Sequence, residues 1–312
     1  MTHEPPGTPS VRTVAAQVAA AALGWLHRNR HHGALPAGTT AELADPDGVY
    51  KPLGESALAG SLVLREGLAS TADLAAAREL VAFAWTQLGE GNLLYERQLR
   101  YMTMTDPLEV YTHFARAGYR HRRLHTLLTH LHGLTSLRGA EQMPNRRLAV
   151  ANAARVARVD HALDWPALTR ATWLGHTPEP WALDWMTAYS VTHTVFHLTD
   201  WGARPDGLPD ELQDYLRTWL PVWIDVWREI QEWDLVAELL IVDACLAEPR
   251  CDPEDWALLA AVQREDGLLA RDGRPVSEDE AQAFREHHHT TVVAAVAGTL
   301  VASRFRGTSA AA

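Results

Sequence analysis

Hydrophobic residues recur every three or four positions along most of the chain, which is the period of an amphipathic α-helix. Runs with a period of two, as in β-strands, are nearly absent. Clusters of glycine, proline and aspartate interrupt the helical pattern at regular intervals, and N-cap signals follow many of them, such as Ser277 with Glu280 in a capping-box pattern. The pattern predicts an all-α protein.

The predicted helices are of two kinds. Six runs are apolar or rich in small residues around their whole circumference, and they begin near Leu53, Met102, Arg147, Ala188, Leu235 and Ala283. More amphipathic runs lie between them, at residues 71–88, 212–232 and 253–264. Alternation at intervals of about 40–50 residues is typical of stacked helical hairpins. We therefore expect an α/α toroid or an open solenoid, with an irregular helical bundle as the alternative.

The chain is expected to form a single domain over residues 11–306. Residues 1–10 contain three prolines and, like residues 307–312, are expected to be disordered tails. The start of the chain has neither the basic nor the apolar region of a signal peptide, and no run of 18 apolar residues occurs. These features predict a cytoplasmic protein.

One segment resembles a known repeat. Residues 254–269 carry Gln263, Asp266 and Gly267 in the spacing Q-x-x-D-G. This is similar to a helix–turn repeat of α/α-toroid enzymes such as terpenoid cyclases and prenyltransferase β subunits. The glutamine would cap a neighbouring helix, and the glycine would permit a left-handed turn. The length and repeat also look similar to lanthionine-forming cyclases of ribosomal peptide pathways.

The chemical motifs of those enzymes are missing, so the resemblance implies an architecture and no mechanism. The zinc-binding cyclases use a cysteine followed by histidine, whereas Cys245 precedes Leu246 and Cys251 precedes Asp252. Neither D-x-D-D nor D-D-x-x-D occurs, and no glycine-rich nucleotide-binding motif is present. We therefore predict no bound zinc or other metal and no cofactor.

The amino-acid composition indicates which kinds of molecule the protein binds. The formal net charge is −11 with neutral histidines, which argues against nucleic acid as the main partner. Of the 28 basic residues only Lys51 is a lysine. Arginine bias with abundant alanine is typical of a high-GC genome such as that of an actinobacterium. We expect the partners to be a peptide or small-molecule substrate and a partner enzyme of the same pathway, and we expect no membrane association.

The most informative candidate site is a stripe on one predicted helix. Tyr189, His193, His197 and Asp200 are spaced four, four and three residues apart, and so share one face of an otherwise apolar helix. The spacing HxxxH is half of a zinc motif, but Thr194 stands where that motif has glutamate. His193, His197 and Asp200 are candidate catalytic residues for acid–base work. A structural role in linking helices is the alternative.

A second candidate lies where the long loop at residues 31–50 meets an apolar helix. Tyr50, Lys51 and Glu55 stand at this junction. We predict Lys51 to be catalytic, and Tyr50 and Glu55 to bind substrate. An ordinary surface lysine beside a helix start is the alternative.

The third candidate is a pair of carboxylates, Asp234 and Glu238, four residues apart on an apolar helix. Buried like charges raise one pKa, which suits acid–base chemistry, although arginine partners would also explain them. We assign both, with Tyr189 and Trp185, to substrate binding. The run His287–His289 is internal, and at most one or two of its side chains should face the core.

These observations together predict a cofactor-independent tailoring enzyme of natural-product biosynthesis. A lyase or cyclase acting through His/Asp acid–base chemistry is expected, and the resemblance to lanthionine-forming cyclases implies thioether ring formation on a ribosomal peptide as one such reaction. The alternative is a non-catalytic helical-repeat protein that binds or presents the substrate in such a pathway.

Overall fold

The computed structural model describes residues 9–42, 49–159 and 163–305. Within these residues the chain forms fourteen α-helices and no strand, which confirms the all-α prediction. The helices are α1 (Val11–Asn29), α2 (Lys51–Glu66), α3 (Thr71–Gln87), α4 (Asn92–Arg100), α5 (Asp106–Arg116), α6 (Arg122–Gly133), α7 (Thr135–Arg138), α8 (Pro144–Ala157), α9 (Trp165–Arg170), α10 (Trp185–Thr199), α11 (Asp210–Glu229), α12 (Trp233–Cys245), α13 (Pro253–Val262) and α14 (Glu280–Arg304).

Parts of the predicted tails and loop cannot be compared with the structure. Residues 1–8, 306–312 and 43–48 lie outside the described residues. The first helix begins directly after Ser10, whose hydroxyl accepts a hydrogen bond from the Thr13 backbone amide as an N-cap.

Six helices form a closed ring. Helices α2, α5, α8, α10, α12 and α14 each contact the next, and α14 contacts α2. These are the six helices that the apolar runs predicted, although α5 begins at Asp106 rather than near Met102 because Pro107 fits a first helical turn. The remaining helices cover the ring from outside, with α1 on α14, α3 on α2 and α11 on α12.

The burial of the two layers follows their sequence patterns. Every residue of α12 is buried, in agreement with its apolar circumference. Helix α11 instead buries one face, including Trp223 and Trp227, and exposes Val222 and Val226. The prediction of a fold built from helical hairpins is therefore confirmed.

The ring helices run in the same direction. At one end, Arg146 in the first turn of α8 lies 2.7 Å from Glu109 in the first turn of α5. At the other end, Arg65 near the end of α2 donates to the backbone oxygen of Asp200, just after α10. The N-terminal ends of the ring helices therefore meet at one opening of the ring.

The Q-x-x-D-G turn follows α13. Gln263 Nε2 donates to the backbone oxygens of Val18 in α1, at 3.2 Å, and of Gly267, at 3.0 Å. Gly267 has φ +95°, and a Cβ atom there would lie 2.1 Å from the Ala21 oxygen. The turn thus ties α13 to α1. Gly267 has the left-handed backbone that was expected, whereas Gln263 binds a carbonyl in the middle of α1 and does not cap that helix.

We expect Gly298→Ala to destabilise the protein by about 1–3 kcal/mol, because α14 and α1 are in backbone contact there. A Cβ atom at Gly298 would lie 2.3 Å from the Ala15 oxygen and 2.9 Å from the Ala19 Cβ. As a control, Gly24→Ala in α1 would meet only the flexible end of Arg28, and should stabilise by about 0.5–1 kcal/mol. Urea unfolding of both variants measures this, and equal gains in stability would contradict the close packing.

None of the helices in the described part of the chain is long and apolar enough to cross a membrane.

Candidate active site

The inner face of the ring carries polar side chains that solvent reaches only in part. On α10 and at its C-cap these are Tyr189, His193, His197 and Asp200, the stripe predicted from the sequence, and all four are partly buried. Most other residues of α10 are apolar or small, so these four mark a polar stripe on that helix. The stripe extends from the opening of the ring at Tyr189 to its opposite end at Asp200.

His289, on α14, is the centre of the cluster nearest the opening. Its Nδ1 lies 2.7 Å from Glu55 Oε1 on α2. Its Nε2 lies 3.5 Å from Glu238 Oε1 and 3.7 Å from Asp234 Oδ2, both on α12. One imidazole therefore faces three carboxylates from two other helices.

The two carboxylates of α12 are held by hydroxyl donors. Asp234 accepts hydrogen bonds from the hydroxyls of Tyr189, at 2.5 Å, and Thr290, at 2.7 Å. Glu238 accepts one from the Thr192 hydroxyl at 2.5 Å. The exposed fractions of the two carboxylate side chains are 3% and 2%. Fixed hydroxyl donors therefore satisfy oxygens of both buried carboxylates.

His288, the residue before His289 on α14, also contacts Glu55. Its side chain is buried, its Nε2 lies 3.0 Å from the Ser56 hydroxyl, and its Nδ1 lies 3.4 Å from Glu55 Oε2. Glu55 is thus fixed by two consecutive histidines of α14. Its position then fixes the orientation of the His289 ring.

The pKa values follow from this geometry. Burial alone would lower the pKa of His289, but the charges of Glu55 and Asp234 and the contact with Glu238 raise it well above 6.5. Burial would raise the pKa of Glu55, but His289 and His288 lower it well below 4.5. The pKa of Glu238 is also lowered: the adjacent histidines outweigh the effect of burial. At neutral pH the cluster therefore contains an imidazolium and ionised carboxylates.

His193 differs from His289 in its hydrogen bonding. Its Nδ1 lies 2.8 Å from the Tyr189 backbone oxygen, which can only accept, so Nδ1 carries a proton. In a neutral ring Nε2 is then the basic nitrogen. The side chain is 37% exposed, and its Nδ1 lies 3.8 Å from Glu238 Oε2. His193 and His289 thus contact different oxygens of the Glu238 carboxylate.

Three further residues lie at the opening. Lys51 is half exposed, with its Nζ 3.7 Å from Glu55 Oε1. Trp185 is 44% exposed and contacts the Tyr189 ring edge to face at 4.9 Å. Met186, beside it, is 63% exposed. The opening therefore combines one cation with an apolar and aromatic rim.

The opposite end of the ring interior has a structural ion pair. Arg116 donates to Asp200 Oδ1 at 2.6 Å and to His113 Nδ1 at 3.2 Å. Burial and the Arg116 charge lower the pKa of His113 to about 3. The pKa of His197 is also lowered well below 6.5 by burial and by neighbouring positive groups. Both histidines are therefore neutral, and they separate the cluster from the ion pair.

The structure places several predicted residues differently from the expectation. The Tyr50 assignment to substrate binding is wrong: its side chain is 1% exposed, packs in the core beside Leu53 and Leu94, and lies near Arg97. Asp200 does not poise a histidine, because its carboxylate pairs with Arg116. His197 is a buried neutral group between the two ends. The structure does bring Glu55, Tyr189, His193, Asp234 and Glu238 together.

Several residues of the cluster were not assigned to it from the sequence. They are Ser56, Thr192, His288, His289 and Thr290. The signal that could have found His289 is a histidine run at the start of an apolar helical stretch. His287 and His288 are buried and His289 is partly exposed, so the run turns its third member toward the ring interior.

Asp234, Glu238 and His289 are also the one group among the described residues that could hold a metal ion, since an atom of each lies within 4.8 Å of the others. The cysteines do not offer a second site. Cys245 and Cys251 are buried free thiols, and burial raises the pKa of each to about 12. A thiol must lose its proton to ligate a metal.

A comparison with protein families places most of the chain in one of them. The family described as "Domain of unknown function (DUF6895)" matches residues 19–299, which include five helices of the ring completely and most of α14. No curated protein and no solved structure matches the sequence.

Proposed function

We propose that this chain, which belongs to the DUF6895 family, is an enzyme that performs general acid–base catalysis inside its helical ring. The observation that carries the proposal is the pair of imidazoles that contact the two oxygens of Glu238: His289, held as an imidazolium by Glu55, and His193, whose Nδ1 donates to the Tyr189 backbone oxygen and leaves Nε2 for a substrate.

In the proposed reaction His193 removes a proton from the substrate and His289 supplies one from Nε2, whose contacts with Glu238 and Asp234, at 3.5 and 3.7 Å, are longer than normal hydrogen bonds. Glu55 keeps His289 oriented, and the Asp234–Glu238 pair stabilises its charge. Tyr189 and Thr192 hold these carboxylates through their hydroxyls. Lys51, at the rim, orients an anionic group of the substrate, while Trp185 contacts an apolar or aromatic part.

We extend the proposal to lyase or cyclase chemistry on a peptide or small apolar molecule of natural-product biosynthesis, in the cytoplasm. Thioether ring formation illustrates the proton balance. His193 takes the proton of a substrate thiol, the sulfur forms a bond to the β-carbon of a dehydroamino acid, and the C=C π bond breaks. His289 then protonates the α-carbon. No oxidant, reductant or cofactor is consumed.

The proposal is tested with the purified protein and peptides or small molecules made by enzymes encoded beside its gene. For a dehydrated peptide, we expect the free thiol to disappear from alkylation assays without a change in peptide mass. An elimination would appear as a loss of mass. Tight binding of the substrate with no chemical change would contradict the proposal and favour a scaffold.

We expect the protein to contain far less than one transition metal ion per chain. The proton on His289 Nε2 faces Asp234 and Glu238 and occupies the position that a metal would take. Elemental analysis and the thermal midpoint with and without EDTA measure this. About one ion per chain, absent from a Glu238→Ala variant, would contradict it.

A further inference from the structure

A second pocket lies outside the ring, on the opposite side of α8 from the candidate active site. It has a volume of about 380 Å³ and is bounded by α5, α6, α7, α8 and α9. Its walls are largely apolar, with Leu108, Leu128, Leu131, Val150 and Ala154 among them. This volume is within the range of pockets that bind small molecules.

Gln98 lines this pocket and has a buried hydrogen-bond acceptor without a partner among the described residues. Gln98 is 2% exposed, and its Nε2 donates to the backbone oxygens of Tyr101, Met102 and Met104 at 3.1–3.4 Å. Those three oxygens fix the orientation of the amide, because a flipped amide would place Oε1 against them. Oε1 is buried and has no hydrogen-bond partner among the described residues. An unsatisfied buried acceptor costs about 1–3 kcal/mol, so a ligand donor would be stabilising here.

Two arginines give the pocket a positive rim. Arg138 and Arg147 line it, and neither has a described carboxylate oxygen within 4.0 Å. Arg147 donates to the Arg138 backbone oxygen at 3.0 Å, which holds the two residues side by side. Asp164 also lines the pocket, but its Oδ1 accepts the Ala167 backbone amide as the N-cap of α9.

We propose that this pocket binds a small amphipathic anion with three features. An apolar body fills the space between α6, α8 and α9. An N–H or O–H group donates to Gln98 Oε1. A carboxylate or sulfonate pairs with Arg147 and Arg138 at the rim. The site is independent of the acid–base proposal, because it uses none of the residues inside the ring.

The test uses two fluorescent probes that differ in charge. 8-Anilinonaphthalene-1-sulfonate has an apolar body, an N–H donor and a sulfonate, whereas N-phenyl-1-naphthylamine lacks only the sulfonate. We expect the anionic probe to bind the folded protein saturably at one site per chain. Arg147→Gln should weaken it about tenfold and leave the neutral probe unchanged. Arg285→Gln, an exposed change on α14 outside the pocket, is the matched control.

A variant that fills the pocket with a large side chain tests whether the probes bind there. Ala167 is exposed on α9 and lines the pocket, so Ala167→Trp should block both probes while the protein remains folded by circular dichroism. The proposal is overturned if neither probe binds saturably, in which case a water would satisfy Gln98. It is also overturned if Ala167→Trp leaves binding intact, or if Arg147→Gln weakens both probes equally.

Discussion

Glutamine in place of either His193 or His289 should lower turnover about 10²-fold or more. Glutamine keeps a polar side chain at each position but cannot act as a base at His193 or as an acid at His289. The basic Nε2 of His193 and the imidazolium of His289 are both required for the proposed proton transfers, so the losses should not multiply in the double variant. Turnover of each variant, compared with its thermal midpoint, measures the effect.

The chain offers a matched control outside the ring. His27 Nε2 lies 2.7 Å from Glu79 Oε2, which makes the same kind of histidine–carboxylate contact on the outer layer. His27→Gln should leave turnover unchanged. Activity that merely follows the folded fraction in all three variants would show that His193 and His289 are structural.

Replacing Asp200 by asparagine should lower the free energy of unfolding by about 3 kcal/mol. The change leaves the Arg116 guanidinium, 7% exposed, without its carboxylate. Asparagine has the same shape and accepts the left-handed backbone of Asp200, at φ 47°, so the variant isolates the charge. The midpoint of urea unfolding at an unchanged slope measures the loss.

An exposed ion pair provides the control for this prediction. Asp214 Oδ1 lies 2.7 Å from Arg217 Nη1, but Asp214 is 75% exposed. Asp214→Asn should therefore cost less than about 1 kcal/mol. If Asp200→Asn kept full stability and abolished turnover, Asp200 would belong to the chemistry and not to the structural end of the ring.

The sequence predicts the ring well, because the signal is spread over whole helices. A helix that is apolar around its whole circumference, such as α12, must be packed against other helices on every side. The amphipathic helices that alternate with the apolar ones in the sequence provide that packing. Ring closure depends on the contact of α14 with α2, which are far apart in sequence. No local pattern distinguishes that contact from the open ends of a solenoid.

The sequence identifies residues of the site only where two or more polar residues lie on one face of the same apolar helix. Tyr189 and His193 share a face of α10, and Asp234 and Glu238 share one of α12, so spacing alone identified them. His289 could not be identified in this way, because consecutive histidines point in three directions and the packing of α14 selects one. Tyr50 was misplaced because a residue just before a helix can point either to the core or to the ring interior.

The acid–base account depends most directly on the protonation of His289. Histidine-selective ¹⁵N labelling, with His289→Gln to assign the signal, follows both ring nitrogens as the pH is raised. Because Glu55, Asp234 and Glu238 surround the ring, both nitrogens should remain protonated at neutral pH, with a pKa well above 6.5. A pKa at or below 6.5, or a single unprotonated nitrogen at neutral pH, would contradict the account.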